Sequence, residues 1–260
     1  MANPGAECGT AEGWAGLEAM HRGEFGIRRG LGRTGDYAFC WRGQSPGIGS
    51  DWVAIDTNKN CALSGWFKAE FGSFTGVTFG VMMADAQQRE MKSWNIFSVK
   101  GTSTELAAPC RAGDRVLRIK DGQAWKTGAA FAAAFGVGEN ELTHDVTPLG
   151  IESVCQDGEV WMVTLKDLCG MEMPAGTTVH QNQAGNNGIF LPGAVQTVIS
   201  NEWTELKGEI KADDWWPGTA YARVMVIGPG LRCGKNEMVL LMDDFSFRQG
   251  SRQSQVLTPL

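Results

Sequence analysis

The sequence predicts an all-β chain: a β-sandwich split in sequence by a small inserted β-domain. Three observations lead there. The apolar stretches are short and punctuated by glycine, at 35 of 260 residues, well above a usual share of about 7%. Several segments alternate apolar and polar residues with period two, the mark of a strand buried on one face. The texture of the chain changes near residue 109 and changes back near 189, so that 109–188 reads as an insert in a body made from 1–108 and 189–260.

The clearest strand is Cys61 to Lys68. Cys61, Leu63, Gly65 and Phe67 fall on one face, and Ala62, Ser64, Trp66 and Lys68 on the other. Before it, 51–60 reads as a short strand entering a polar turn. After it, Thr75 to Met83 and Trp94 to Val99 read as strands. In the insert the strands are Arg115 to Ile119, Gly150 to Val154 and Glu159 to Leu165, the last two joined by an Asp157-Gly158 turn of hairpin type. The Ala-rich stretch Lys126 to Phe135 fits a short helix or a strand of small residues. The closing segment supplies Glu202 to Ile210, Ala220 to Ile227 and Glu237 to Phe247, with a polar tail after Arg248.

Composition excludes several function classes. The net charge is −6, where a nucleic-acid partner calls for a basic face. No apolar run reaches the roughly 18 residues of a membrane helix, so no membrane insertion is expected. The seven cysteines (8, 40, 61, 110, 155, 169 and 233) are odd in number, widely spaced and without a CxxC pair. They predict buried thiols made in a reducing compartment, not a disulfide framework or a zinc ribbon. His21, His144 and His180 lie far apart in sequence and fit no metal motif. No nucleophile elbow or P-loop occurs, and Gly30-x-Gly32 in its basic patch reads as a loop. The acid pairs Glu139/Glu141 and Asp213/Asp214 read as solvated loops rather than as a glycosidase pair. The chain is expected not to be an enzyme.

Four pieces, in order, resemble the galactose-binding-like jelly-roll carbohydrate-binding modules. Asn3-Pro4-Gly5-Ala6-Glu7 with Gly9-Thr10 and Gly13-Trp14 looks like that group's "N-P-x-F-E-x-G-x-x-G-W" opening. Ile55-Asp56-Thr57-Asn58-Lys59-Asn60 running into Leu63-Ser64-Gly65-Trp66-Phe67-Lys68 looks like its "v-D-P-x-K-x-Y-x-L-S-x-x-x-K" stretch. Trp203-Thr204 and Gly208 match a later "W-x-x-x-x-G" strand, and Leu241 to Phe247 the closing "y-i-D-D-v-s-l" strand. The chain departs at Ala6, where Phe is usual, and at Cys61, where an aromatic is common. The insert is similar to small β-inserts of surface and phage-tail proteins, through "A-G-D-x-x-L-x-I-x-D" at 112–121 and "P-A-G-T-x-V" at 174–179.

The resemblance implies a jelly-roll sandwich, a glycan or polysaccharide partner and a structural calcium tying the first loop to the last strand. By position Glu7 and Asp243 match the calcium ligands. Strict alternation would put Asp243 on one apolar face with Leu241, Phe245 and Phe247, where a carboxylate needs a cation or hydrogen-bond donors. Backbone N–H groups are the alternative to a metal.

A glycan face needs flat rings and polar groups. Trp66 lies on the polar side of its strand, Tyr221 and Arg223 alternate with apolar neighbours, and Trp215-Trp216 sits in an acidic turn; these five are the candidates. The first residues carry neither the basic nor the apolar region of a signal peptide. With the unpaired cysteines, this favours a virion protein made in host cytoplasm, a phage tail or capsid-surface component for glycan attachment or assembly. It would be extracellular instead if a signal peptide had been removed. Other virion proteins, or copies of the chain itself, are then further partners. The alternatives are a purely structural capsid-decoration or tail protein, and an accessory module of a polysaccharide lyase or glycoside hydrolase.

Overall fold

The computed structural model describes residues 4–17, 23–43, 47–228 and 239–250. Asn3, His21, Cys233, Glu237, Met238 and the tail from 251 lie outside the described residues. The chain divides into two compact units: Met1–Glu90, Gly188–Trp215 and Thr219–Leu260 form the first, and Met91–Asn187 with Trp216–Gly218 the second.

The first unit opens with β1 (Trp14–Gly16), β2 (Gly23–Arg29), β3 (Tyr37–Gly43), β4 (Gly47–Ser50), β5 (Val53–Ala54), β6 (Cys61–Ala69) and β7 (Phe74–Ala84). The second unit contributes β8 (Thr104–Glu105), β9 (Val116–Ile119), β10 (Phe131–Phe135), β11 (Ile151–Asp157), β12 (Val160–Leu165) and β13 (Thr178–Gln183). The chain then returns to the first with β14 (Ile189–Phe190), β15 (Thr197–Ile199), β16 (Thr204–Ile210), β17 (Tyr221–Ile227) and β18 (Val239–Gln249). Among the described residues the helical elements are two short 3₁₀ turns.

The first unit is a two-sheet antiparallel sandwich. One sheet has the order β16-β6-β18-β3-β2, and the other β1-β4-β17-β7-β14, with β5 on β17 and β15 on β7. The chain alternates between them at β3, β4, β6, β7, β16, β17 and β18, which is the jelly-roll pattern. β6 shows why: its odd positions from Cys61 to Ala69 are buried and its even ones are not. The two sheets meet through rings. Phe79 on β7 packs against Phe67 and Phe245, 5.1 and 5.8 Å between centroids, and Trp14 on β1 against Phe245 at 4.5 Å. Each such buried ring contributes about 2 kcal/mol of transfer free energy.

Two strands invisible to the alternation argument, β2 and β3, form a hairpin from Gly23 to Gly43. The Gly30 loop of the basic patch is its turn: Gly30 has φ +76° and donates its N–H to the Asp36 carbonyl at 2.6 Å.

The second unit has two three-stranded sheets, β10-β13-β8 and β11-β12-β9. Its own core contains Phe135, Val179, Leu117, Ile119, Val163, Leu165 and Trp125. Of the Ala-rich stretch Lys126 to Phe135, the second half, Phe131–Phe135, is strand β10, paired along its length with β13. The expected strand at Trp94 to Val99 is instead a 3₁₀ turn at Ser93–Asn95 followed by one bridge, Ser98 to Asn182. That bridge, with Val99 N–H donating to the Gln181 carbonyl at 2.7 Å, ties the segment to β13. The second unit therefore begins at Met91 and not at 109.

Candidate functional site

Strand β17 positions the candidate site. Ala222, Val224 and Val226 turn into the core, buried, which sends Tyr221 and Arg223 to the outer face of the sheet. Register places Arg223 beside Met82 of β7. Leu17, Met82 and Met225 form an outer apolar cluster there, with Trp52, Phe190 and Ile227 packed on it.

Arg223 lies flat across this surface. Its guanidinium carbon sits 4.5 Å from the Trp52 ring centroid. One Nη2 donates to Glu90 Oε2 at 2.9 Å and approaches Met82 Sδ at 3.5 Å. The arginine and glutamate side chains keep 20% and 28% of their exposure, so the pair is half-buried yet open on one side. Gly49 makes room: a Cβ there would stand 3.2 Å from Arg223 Cδ and 3.0 Å from Leu17 Cδ2. Burial lowers the Arg223 pKa and the facing Glu90 opposes it; an arginine so placed remains cationic. Among the described residues, Arg223 Nε finds no acceptor. A guanidinium, a carboxylate, an indole and a phenol thus share one face. They present donors and an acceptor for hydroxyls beside a ring for C–H faces.

The five predicted residues do not form one surface. Tyr221 and Arg223 share the face just described. Trp66 is on β6 in the other sheet, opposite Asp243, and the Arg33 guanidinium covers its ring at 3.6 Å. Trp215 and Trp216 were expected in an exposed turn, but both are buried, at 7% and 8% exposure. They also part company: Trp215 belongs to the first unit and Trp216 to the second, where its ring meets the edge of Phe97 at 5.1 Å. Burial of the apolar rings outweighs the acidic flank at Asp213 and Asp214, where the Asp214 carboxylate serves the 3₁₀ turn by accepting the Lys211 N–H at 2.8 Å. Trp52, Met82 and Glu90 were missed. Trp52 had a trace in the sequence, as the ring beside a short strand; Glu90 stands in a polar loop with no pattern around it.

The calcium ligands meet a different arrangement from the one expected. The last strand does not alternate through Asp243. A register shift between Asp243 and Ser246, with Asp244 at φ +47°, reverses its phase. Met242 therefore pairs with core Phe67 and Phe39, Phe245 returns to the core, and Asp243 shares the outer side with Trp66. Asp243 is nonetheless fully buried. Its Oδ2 accepts the Arg33 N–H at 2.7 Å and its Oδ1 the Asp244 N–H at 2.8 Å. Asp244 pairs with the Arg33 guanidinium at 2.7 Å and accepts the Thr34 hydroxyl at 2.8 Å. Glu7 accepts the N–H groups of Asp36 and Tyr37 at 3.2 and 3.4 Å. Burial raises the Asp243 pKa, and the charges of Asp244 and Glu7 add to it. Each carboxylate has protein donors, and among the described residues no three His, Cys, Asp or Glu side chains group as a metal set. This donor pattern supplies the backbone N–H groups that are the alternative to a metal.

The charges of Glu139 and Glu141 reach His180, whose ring is fully buried. Glu141 caps a turn through the Gly138 N–H at 2.9 Å.

No protein-family model matches the chain, and no curated protein matches it. Among solved structures it is similar to the CBM22-1 xylan-binding domain of Xyn10C from Paenibacillus barcinonensis, at 9% identity and TM-score 0.37, over 92% of this chain and 87% of that one. It is also similar to TmCBM61 in complex with β-1,4-galactotriose, at 13% identity and TM-score 0.34, over 96% and 97%. A third likeness is to the arabinose-bound α-L-arabinofuranosidase MgGH51, at 8% identity and TM-score 0.39, covering 92% of this chain but 23% of that one. At such identities and TM-scores these likenesses assign no function to the chain.

Proposed function

We propose that the first unit is a non-catalytic carbohydrate-binding sandwich whose glycan surface is the outer face of the β4-β17-β7 sheet. One observation carries this reading: Arg223 is stretched across Trp52 and paired with Glu90 on a half-open, apolar-floored face. Polar groups fixed against a ring are what a sugar with polar rims and apolar faces requires. The experiment is a polysaccharide pull-down and glycan array on the full chain, repeated with Trp52→Ala and Arg223→Ala. Loss of binding by about tenfold or more in both, with Trp66→Ala unaffected, supports the reading. Absence of binding to every glycan overturns it.

The finer setting we propose is the surface of a phage virion, where the chain attaches to host glycans or joins other virion proteins. The buried Cys40 and Cys61 thiols fit synthesis in a reducing compartment. An assembly role has its own observation. Phe71, Val195 and Val198 keep 74%, 53% and 60% exposure; Phe71 precedes β7, Val195 precedes β15 and Val198 lies in it, and the two strands pair with each other. Large apolar side chains left in water favour a protein partner. Solution mass separates the two roles: a monomer with glycan affinity supports attachment, and an oligomer lost on Phe71→Ser and Val198→Ser supports assembly.

A further inference from the structure

Two thiols in the second unit face each other without a bond. Cys110 Sγ and Cys169 Sγ are 3.2 Å apart, and the residues are 3% and 1% exposed. Their backbones are fixed by a short antiparallel ladder. Cys110 and Met173 exchange N–H···O bonds, both at 2.9 Å, while Gly113 N–H donates to the Cys169 carbonyl and Cys169 N–H to the Asp114 carbonyl, both at 2.8 Å. The other described cysteines lie elsewhere: Cys40 and Cys61 in strands of the first unit, Cys8 and Cys155 exposed.

We propose that Cys110 and Cys169 are a redox pair that closes to a disulfide once the chain meets an oxidising medium, locking the 110–114 segment to 169–173. A disulfide needs sulfurs about 2.0 Å apart, so closure requires them to approach by a little over an ångström. The oxidant is a small disulfide such as oxidised glutathione. Two S–H bonds break, the Sγ–Sγ bond forms, the small disulfide takes the two electrons, and its two halves leave as thiols carrying the two protons. Burial and the facing Cys169 push the Cys110 thiol up to about 12, so exchange runs through transient opening of the unit and is slow. The chain between the two sulfurs carries β9 to β12, and cross-linking it removes freedom from the unfolded state. The unit would then fold reduced and harden after release.

The test is peptide mapping of the full chain after incubation with oxidised glutathione or with dithiothreitol. The expected result is an intact mass lower by two hydrogens, a non-reduced peptide joining Cys110 to Cys169, and a melting transition raised by about 5 °C or more. The rise should vanish in Cys110→Ser/Cys169→Ser and in Cys110→Ala. Both thiols still alkylated after denaturation of the oxidised sample, or cross-links confined to other cysteines, would overturn the proposal. The peptide map of the unsubstituted chain decides even if a variant fails to fold.

Discussion

His180 gives the second unit an acid-sensitive core. The residue sits on β13 opposite Ala134 of β10, fully buried. Among the described residues neither ring nitrogen has a hydrogen-bond partner, and the Oδ1 of Asn182, two residues on, has none either. Burial lowers the His180 pKa, with the charges of Glu139 and Glu141 opposing it only in part. The folded state therefore holds this ring neutral at a pH where the unfolded chain has begun to bind a proton. The unfolded state then carries more protons, so stability rises with pH and falls on acidification below about 6.5, the ordinary histidine value. The slope for one proton cannot exceed about 1.4 kcal/mol per pH unit, and it acts between the ordinary histidine value and the lowered folded one. His180→Leu removes the titration and two unsatisfied polar atoms. Relative to the unsubstituted chain it should gain more stability at about pH 5 than at about pH 7, by no more than about 1.4 kcal/mol per pH unit. The assay is amide exchange of β10 and β13 across that range, which reports this unit and not the sandwich. If both chains lose protection in parallel as the pH falls, the reasoning about His180 is wrong.

The sandwich offers sharper steric tests. A Cβ at Gly65 would lie 2.6 Å from Phe245 Cδ1 and 3.2 Å from Phe79 Cζ. Gly65→Ala should therefore cost about 1–3 kcal/mol in chemical unfolding; an unchanged midpoint would mean that the sheets separate freely there. Asp243→Ala strands the N–H groups of Arg33 and Asp244, an expected loss of about 2–5 kcal/mol, with Asp243→Asn milder because it keeps one acceptor. Melts in calcium chloride and in a chelator should coincide; a calcium-dependent rise would restore a cation to the Glu7–Asp243 region. Charge reversal at Glu90 should weaken glycan binding together with Arg223→Ala, without adding to it, because the two act as one pair.

Much of the sandwich was legible because its strands are buried on one face. The alternation of Cys61 to Ala69 and the inward Ala222, Val224 and Val226 survive folding unchanged. What escaped was built on other physics. The β2–β3 hairpin carries Arg28 and Arg29 on a strand whose partner supplies the apolar cover, so its own sequence reads as a basic loop. The strand expected at Trp94 became a turn because its backbone and side chains bond to a distant strand, as in Asn182 Nδ2 donating to the Trp94 carbonyl at 2.9 Å. No local pattern encodes such a partner.

The site shows the same division. Period two places a side chain on a face, which is why Tyr221 and Arg223 were found. It cannot place a loop over that face, so Glu90 was invisible, nor can it see a bulge. At Asp243 a single αL residue, Asp244, moved a carboxylate from the expected core side to the side of Trp66 and Arg33. There the burial was correct and its reason differed: Arg33 supplies an N–H to one carboxylate and a guanidinium to the next, and its cation also covers Trp66. One arginine thereby pairs with the Asp244 carboxylate and lies over one face of Trp66, as Arg223 lies over Trp52 on the other sheet. The outer face around Arg223, on the opposite sheet, sets an indole beside a paired guanidinium and carboxylate, and that is the surface we propose for a glycan.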